Sequence, residues 1–195
     1  MRSLLIIFLL NTALNAADEY EIALCVGKIN FNGVAVSAAK SDNTIKRFTD
    51  YDDNNIAVDL NFVFKSKDTV GIFIAPGIAY RKIDVVDNES NLNINAGGIK
   101  LSAGMQVNLN DYLEFQAGPY GVWGGSFYNY SNINYGGYYT EYGISAQLNF
   151  LYNSMLIGPS ISYKLINVTQ ASDSSNKNKI EAYGLQVGIC VGISL

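Results

Sequence analysis

The chain has no histidine, only two cysteines and only three prolines in 195 residues. Without histidine, acid–base and nucleophilic mechanisms that depend on an imidazole are excluded. Two isolated thiols do not make a structural zinc site. Charge is also scarce: Asp, Glu, Lys and Arg supply 15% of the residues against 49% hydrophobic, which excludes a disordered chain. The balance is acidic, with net charge −4 and a pI near 4.7. That leaves no basic surface for a phosphate backbone, so nucleic acid is not an expected partner. No stretch beyond the N-terminal region approaches the ~18 consecutive apolar residues of a transmembrane helix. No convergent cluster of Asp, Glu or Lys is readable, so a non-enzymatic protein without cofactor or metal is expected.

What is present begins with "MRSLLIIFLLNTALNAADEY". Arg2 precedes an apolar run from Leu4 to Leu10, and small residues follow at Ala16 and Ala17. This is the pattern of a secretory signal peptide, cut after Ala16 or Ala17. Residues 1–17 are therefore read as a leader and 18–195 as one exported domain.

Beyond the leader, a period of two dominates. In "YGLQVGICVGISL", Tyr183 to Leu195, every odd position is a sizeable apolar residue, while Gly, Gln, Cys and Ser fill the even ones. The same alternation runs through residues 20–27, 56–64, 70–80, 99–109, 113–123, 142–150 and 155–165. Short turns at residues 65–68, 110–111 and 152–154 alternate with long polar loops at 28–54, 83–96, 124–138 and 167–179. Eight strands of about ten residues, trimmed at one end and decorated at the other, predict an all-β, eight-stranded antiparallel up-and-down transmembrane β-barrel. An even strand number places both termini at the short-turn end.

Alternation alone does not say which face is outside. The rival is a soluble exported lipocalin-like lipid-binding barrel, apolar within and polar without. Three features favour the membrane. The polar face consists of Gly, Ala, Ser, Gln and Asn with few charges, the apolar face carries no charge, and the last residue still belongs to the strand pattern. In a closed barrel the last strand pairs with the first, so Leu195 faces the membrane boundary. Prolines at 76, 119 and 159 oppose this reading, because each removes a ladder hydrogen bond inside a central strand; bulges or a wet interior are needed to absorb the loss.

"IAPGIAY" (residues 74–80), "IGPSISY" (157–163) and "AGPYGVW" (117–123) form a weak repeat. Each sets an aromatic four residues past its proline, about 10 Å nearer the long-loop end. Tyr80, Trp123 and Tyr163, with Tyr142 and Tyr183, are expected to form an outer aromatic girdle; Tyr20, Phe64 and Phe150 form an inner one.

The leader, the alternating strands, the Gly/Pro segments followed by an aromatic and the amphipathic C-terminal strand together resemble the small bacterial outer-membrane β-barrel family. The likeness is to the OmpA-transmembrane-domain, OmpX and opacity-protein type and covers about residues 19–195. It implies residence in the outer membrane among lipid and lipopolysaccharide, and recognition of Tyr183 to Leu195 by the barrel-assembly machinery. Such families usually end on Phe or Trp, where this chain has Leu195. No peptidoglycan-binding domain follows the barrel, so a wall anchor is not implied. Enzymes among outer-membrane barrels need a histidine, which this chain lacks.

Seven charged residues fall on the interior phase: Glu21, Asp59, Arg81, Lys100, Glu114, Glu141 and Lys164. They either line a solute path or pair across the lumen and plug it, and pairing is the favoured expectation because buried charges of both signs tend to be matched. Cys25 and Cys190 share that phase on the two strands that meet at closure. If Tyr20 lies opposite Leu195, Cys25 lies opposite Cys190, and either a seam disulfide or two buried thiols results. "SFYNYSNINYGGYYTEY" (residues 126–142) has the Tyr, Ser, Asn and Gly mix of adaptable binding surfaces. It is read either as a loop for a host or cell-surface ligand or as aromatics continuing the strands above the membrane. The function expected is a non-catalytic surface role in envelope structure or adhesion, with a narrow porin-like channel as the alternative.

Overall fold

The computed structural model describes residues 17–37, 45–48, 55–87, 90–130, 132–171 and 178–195. The expected leader through residue 16 lies outside the described residues, as do parts of the 28–54 and 167–179 segments. The strands are β1 (Glu19–Ser37), β2 (Ile45–Phe48), β3 (Ile56–Lys65), β4 (Val70–Asp87), β5 (Ser90–Asn110), β6 (Leu113–Tyr130), β7 (Ile133–Tyr152), β8 (Met155–Gln170) and β9 (Lys179–Ser194). β2 pairs with the far end of β1 alone, Val34 to Ser37 against Phe48 to Ile45. The other eight form an antiparallel ring, each beside the next, and β9 returns to β1.

Closure has the register anticipated from the two ends. Glu21 stands opposite Ser194 and Cys25 opposite Cys190, and the Leu195 amide donates to the Tyr20 carbonyl at 2.8 Å. A closed ring leaves no sheet edge to lipid, which is what allows strands to cross a bilayer. The turn after β7 is the pair Asn153 and Ser154, both with positive φ (53° and 43°). Two left-handed residues in succession make the turn whose twist matches that of flanking strands.

Between the aromatic girdles, side chains divide as lipid contact requires. Ile72 (69% exposed), Ile99 (70%) and Ile144 (67%) project outward, whereas Asp59, Asn61, Gln106 and Gln116 are buried inside. A soluble barrel with an apolar interior would show the opposite arrangement here, so the lipocalin-like alternative fails over this zone. All eight expected girdle aromatics lie on the outward face. Tyr20 meets Phe64 edge-on at 5.6 Å, and Trp123 meets Tyr142 at 6.0 Å. From Phe150 to Tyr142 on β7 the lipid zone spans roughly 20 Å along the barrel axis, at ~3.3 Å per residue and a tilt near 40°.

The expected long loops are corrected by the structure: their described residues are largely strand. β4 and β5 run on together to Asp87 and Ser90, β6 and β7 to Tyr130 and Ile133, and β8 and β9 to Gln170 and Lys179. Past the outer girdle the polarity of the two faces reverses. On β4, Lys82 and Asp84 turn outward while Ile83 and Val85 are wholly buried. On β9, Ile180 and Ala182 point in, with Lys179 and Glu181 outside. On β1 a bulge between Phe31 and Gly33 moves the inward position from Ile29 and Phe31 to Val34 and Val36. Strands that leave the bilayer enter water, and there a sheet must hide its apolar residues within.

Of the two remedies expected at the prolines, bulges or a wet interior, the bulges are not what the register shows. Opposite Pro76, Pro119 and Pro159 the pairing to β3, β5 and β7 lapses for two residue pairs and resumes in the same register. Each gap faces the neighbour that would have accepted the missing N–H. At two of them the preceding residue is glycine, and the strands close over the gap. A Cβ on Gly118 would lie 2.1 Å from the Ala103 carbonyl oxygen, and one on Gly158 1.7 Å from that of Leu148. The bereft carbonyl rests against a glycine Cα, a weak C–H···O contact in place of a hydrogen bond.

This close approach predicts that Gly158→Ala costs about 1–3 kcal/mol by forced displacement of the β7 backbone. Gly136→Ala, where a Cβ meets nothing within 4 Å, leaves stability unchanged. Urea unfolding in detergent, followed by heat-dependent gel mobility, compares the two.

Candidate functional site: the barrel lumen

The interior is built in three levels. Nearest the short turns, Lys65 on β3 extends its ammonium to Glu21 on β1 at 2.5 Å and to Glu114 on β6, with Glu19 at 3.6 Å. Gln116 and Asn149 donate to Glu114 Oε1 at 2.6 and 3.1 Å, filling its remaining acceptor sites. Lys65, expected in the turn at residues 65–68, is the last residue of β3 and 2% exposed. The signal was available, because 57, 59, 61, 63 and 65 continue one inward phase.

The middle level holds the other five predicted charges. Arg81 on β4 reaches across to Glu141 on β7 with two parallel hydrogen bonds, Nε to Oε2 at 2.8 Å and Nη2 to Oε1 at 2.9 Å. Its Nη1 donates to Asp59 at 2.6 Å, and Lys100 binds the other Asp59 oxygen at 2.9 Å. Lys164 on β8 lies 3.1 Å from Glu141 and donates to Gln186. The Tyr120 hydroxyl donates to Glu141 at 2.8 Å, and the Tyr139 hydroxyl does so on the opposite oxygen. The forked guanidinium–carboxylate pair fixes both partners in direction as well as distance. Among the described residues the buried charges are Lys65, Arg81, Lys100 and Lys164 against Glu21, Asp59, Glu114 and Glu141, four of each sign. The lumen is electrically balanced.

Between these two levels lies a polar cavity of about 60 Å³, bordered by Glu21, Asn61, Lys100, Ser102 and Gln147, room for a handful of waters. Cys25 and Cys190 sit on its wall at the β1–β9 seam, their Cα atoms 4.0 Å apart and their sulfurs bonded.

The third level was not foreseen. Above the ion pairs, within the outward extension of the barrel, Ile29, Phe31, Ile83, Leu92, Ile94, Ile166, Val168 and Ile180 pack into one buried apolar cluster. Tyr128 and Tyr135 stack at 5.1 Å over it, and burial pushes the Tyr128 phenol up to about 12. This layer fills the axis just where an open channel would need water.

The solved structures place this architecture. Neisserial surface protein A superposes on 88% of this chain and 96% of its own length with a TM-score of 0.54 at 8% identity. The fold is that of the small outer-membrane β-barrels. Lower similarity is found to the attachment invasion locus protein Ail of Yersinia pestis (14% identity, 88% and 99% coverage, TM-score 0.42) and to the outer membrane protein OprG of Pseudomonas aeruginosa (13%, 91% and 97%, 0.40). The fold comparison rests on the Neisserial protein. The sequence matches no family model and no curated protein.

In this outer-membrane-type barrel no group of three Cys, Asp or Glu residues is placed to hold a metal, among the described residues. Among the described residues every buried carboxylate is engaged by a cation. The residues sequence reasoning missed, Lys65, Tyr120, Tyr139 and Gln186, are those that complete the ion pairs.

Glu141→Ala leaves Lys164 without an acidic partner and Arg81 with Asp59 alone, and is expected to cost about 3–5 kcal/mol, the usual penalty for breaking a buried ion pair from one side. Glu181→Ala removes a pair exposed on the outer face, with Lys179 at 2.6 Å, and leaves stability unchanged. Alkylation of the unreduced protein, unfolded in urea, is expected to find no free thiol; two labelled cysteines would contradict the seam disulfide.

Proposed function

We propose that the protein is an integral outer-membrane barrel with a closed lumen, acting without catalysis through its outward and extracellular surfaces in envelope structure or adhesion. The observation that carries this reading is the double seal: a charge-balanced set of ion pairs inside the bilayer zone and an apolar core above it. A conducting pore needs continuous water along its axis, and an eight-stranded barrel is only wide enough for side chains to fill. Here side chains of both kinds fill it. The absence of histidine and the pairing of every buried carboxylate support a non-enzymatic role. The leader pattern of residues 1–17 supports export and with it delivery to the outer membrane, where the terminal strand, Tyr183 to Leu195, would be offered to the assembly machinery.

The 60 Å³ cavity is the feature that favours a narrow channel instead, and it is bounded at both ends by the layers just described. Planar-bilayer recording of the detergent-folded protein distinguishes the two. Silence is expected from both the parent and an Arg81→Ala, Lys100→Ala double variant that retains the heat-dependent mobility of a folded barrel. Steady openings from the parent, with ion selectivity altered in the variant, would put the porin-like channel first.

A further inference from the structure

Above the outer girdle the outward face is polar apart from two exposed aromatics, Phe127 on β6 and Tyr138 on β7, diagonal neighbours on the sheet. Phe127 on β6 is 78% exposed, more than any other large apolar side chain described, including those in the lipid zone. It lies on the same face as Trp123, four residues farther out, or about 10 Å above the girdle. A single exposed ring is ordinary on a protein surface; what sets this one apart is the row of fixed amides beside it. Its neighbours on the sheet do not cover it. Gly136 stands opposite on β7, where a Cβ would meet nothing within 4 Å, and Gly97 and Gly125 pair one step nearer the membrane. The ring therefore stands over bare backbone on the side toward Gly97, Gly125 and Gly136.

Amides surround it. Asn95 is directly opposite Phe127 on β5, and Asn93, Asn129 and Asn134 form the next row outward. They are held in place: Tyr80 donates to Asn95, Asn95 to Asn93, and Asn129 to Asn134, each at 2.9 Å. Those bonds leave Asn129 Oδ1 and Asn134 Nδ2 open, one acceptor and one donor, among the described residues. The depression bordered by Phe127 and these amides holds about 410 Å³, the size of one or two sugar rings on the scale of small-molecule sites. Its described residues carry no net charge, because the nearby Lys82 and Asp84 pair with each other at 3.1 Å.

An open aromatic face beside fixed, neutral amide donors and acceptors suits a ligand with one apolar flank and a rim of hydroxyls, which describes a pyranose. Direction decides its source. The patch faces sideways from the barrel wall and continues the lipid-facing surface, so what reaches it is whatever stands beside the barrel in the outer leaflet. We propose that Phe127, with Asn93, Asn95, Asn129 and Asn134, forms a binding site for the neutral saccharide of an outer-leaflet glycolipid. The proposal rests on the outer-membrane reading and gives its surface role a ligand class. It also separates this contact from an anionic one, since among the described residues no cation is free in the patch to hold a phosphate.

The test uses the full folded chain in phospholipid nanodiscs and two probes: rough-type lipopolysaccharide with its core sugars intact, and lipid A from which those sugars have been removed by mild acid. Trp123, the single tryptophan of the chain, lies beside the patch and reports occupancy by fluorescence. The sugar-bearing lipid is expected to bind about tenfold more tightly than lipid A, the increment of one well-made aromatic contact with its hydrogen bonds. Phe127→Ala should erase that difference, and so should the Asn129→Ala, Asn134→Ala pair, with heat-dependent mobility unchanged. Equal binding of the two lipids, or a preference that survives in both variants, would overturn the proposal. A chain that fails to insert into the nanodisc would instead bring down the outer-membrane reading on which the site depends.

Discussion

A strand that leaves a bilayer passes from a solvent that accepts only apolar side chains to one that penalises them, and its two faces must exchange roles at that boundary. The barrel obeys this on strand after strand. Below the outer girdle, isoleucine and valine meet lipid and polar residues line the lumen; above it, Lys82, Asp84, Lys179 and Glu181 meet water and Ile83, Val85 and Ile180 meet one another. The aromatic girdle marks the crossing point because Tyr and Trp tolerate both sides. Membrane barrel and soluble barrel are thus two halves of one continuous sheet.

The interior follows from the same constraint. Within the bilayer zone the lumen receives the polar phase, and because eight strands leave little room for water, charges placed there need partners of opposite sign at contact distance. Four cations and four anions meet that need, with tyrosine hydroxyls and glutamine and asparagine amides taking up the remaining valences. Such a set does not add stability in proportion to its size, since desolvation offsets much of the attraction. What it contributes is direction: Arg81 and Glu141 lock facing walls of the ring together. Farther out the lumen receives the apolar phase and closes as an ordinary core does, by area removed from water.

Much of this was legible in the sequence. The closure register followed from matching two ends whose alternation never broke, and the girdle aromatics and seven lumen charges followed from phase alone. Three things were not. The extensions past the girdle read as loops because hydrophobicity was judged by one face: in residues 83–96 the alternation continues, as Ile83, Val85, Leu92 and Ile94, but on the other parity. Lys65 was lost to a turn because lysine near Ser66 and Asp68 looks like loop composition, whereas inward phase outweighs composition when a carboxylate waits opposite. The prolines suggested bulges or a wet interior because a missing donor must be absorbed somewhere. At Pro119 and Pro159 the chain instead sets a glycine before the proline, which lets the neighbouring carbonyl come close to a residue without a Cβ.

The central claim is that the sheet continues past the membrane with its polarity reversed, and that this extension seals the lumen. Amide hydrogen exchange on the barrel in nanodiscs addresses it directly, because loops and laddered strands differ by orders of magnitude in protection. The account predicts that amides of residues 83–85, 92–96 and 166–168 exchange as slowly as those between the girdles. Exchange there at the rate of an unstructured loop would show the lumen open to water above the ion pairs, and would contradict it.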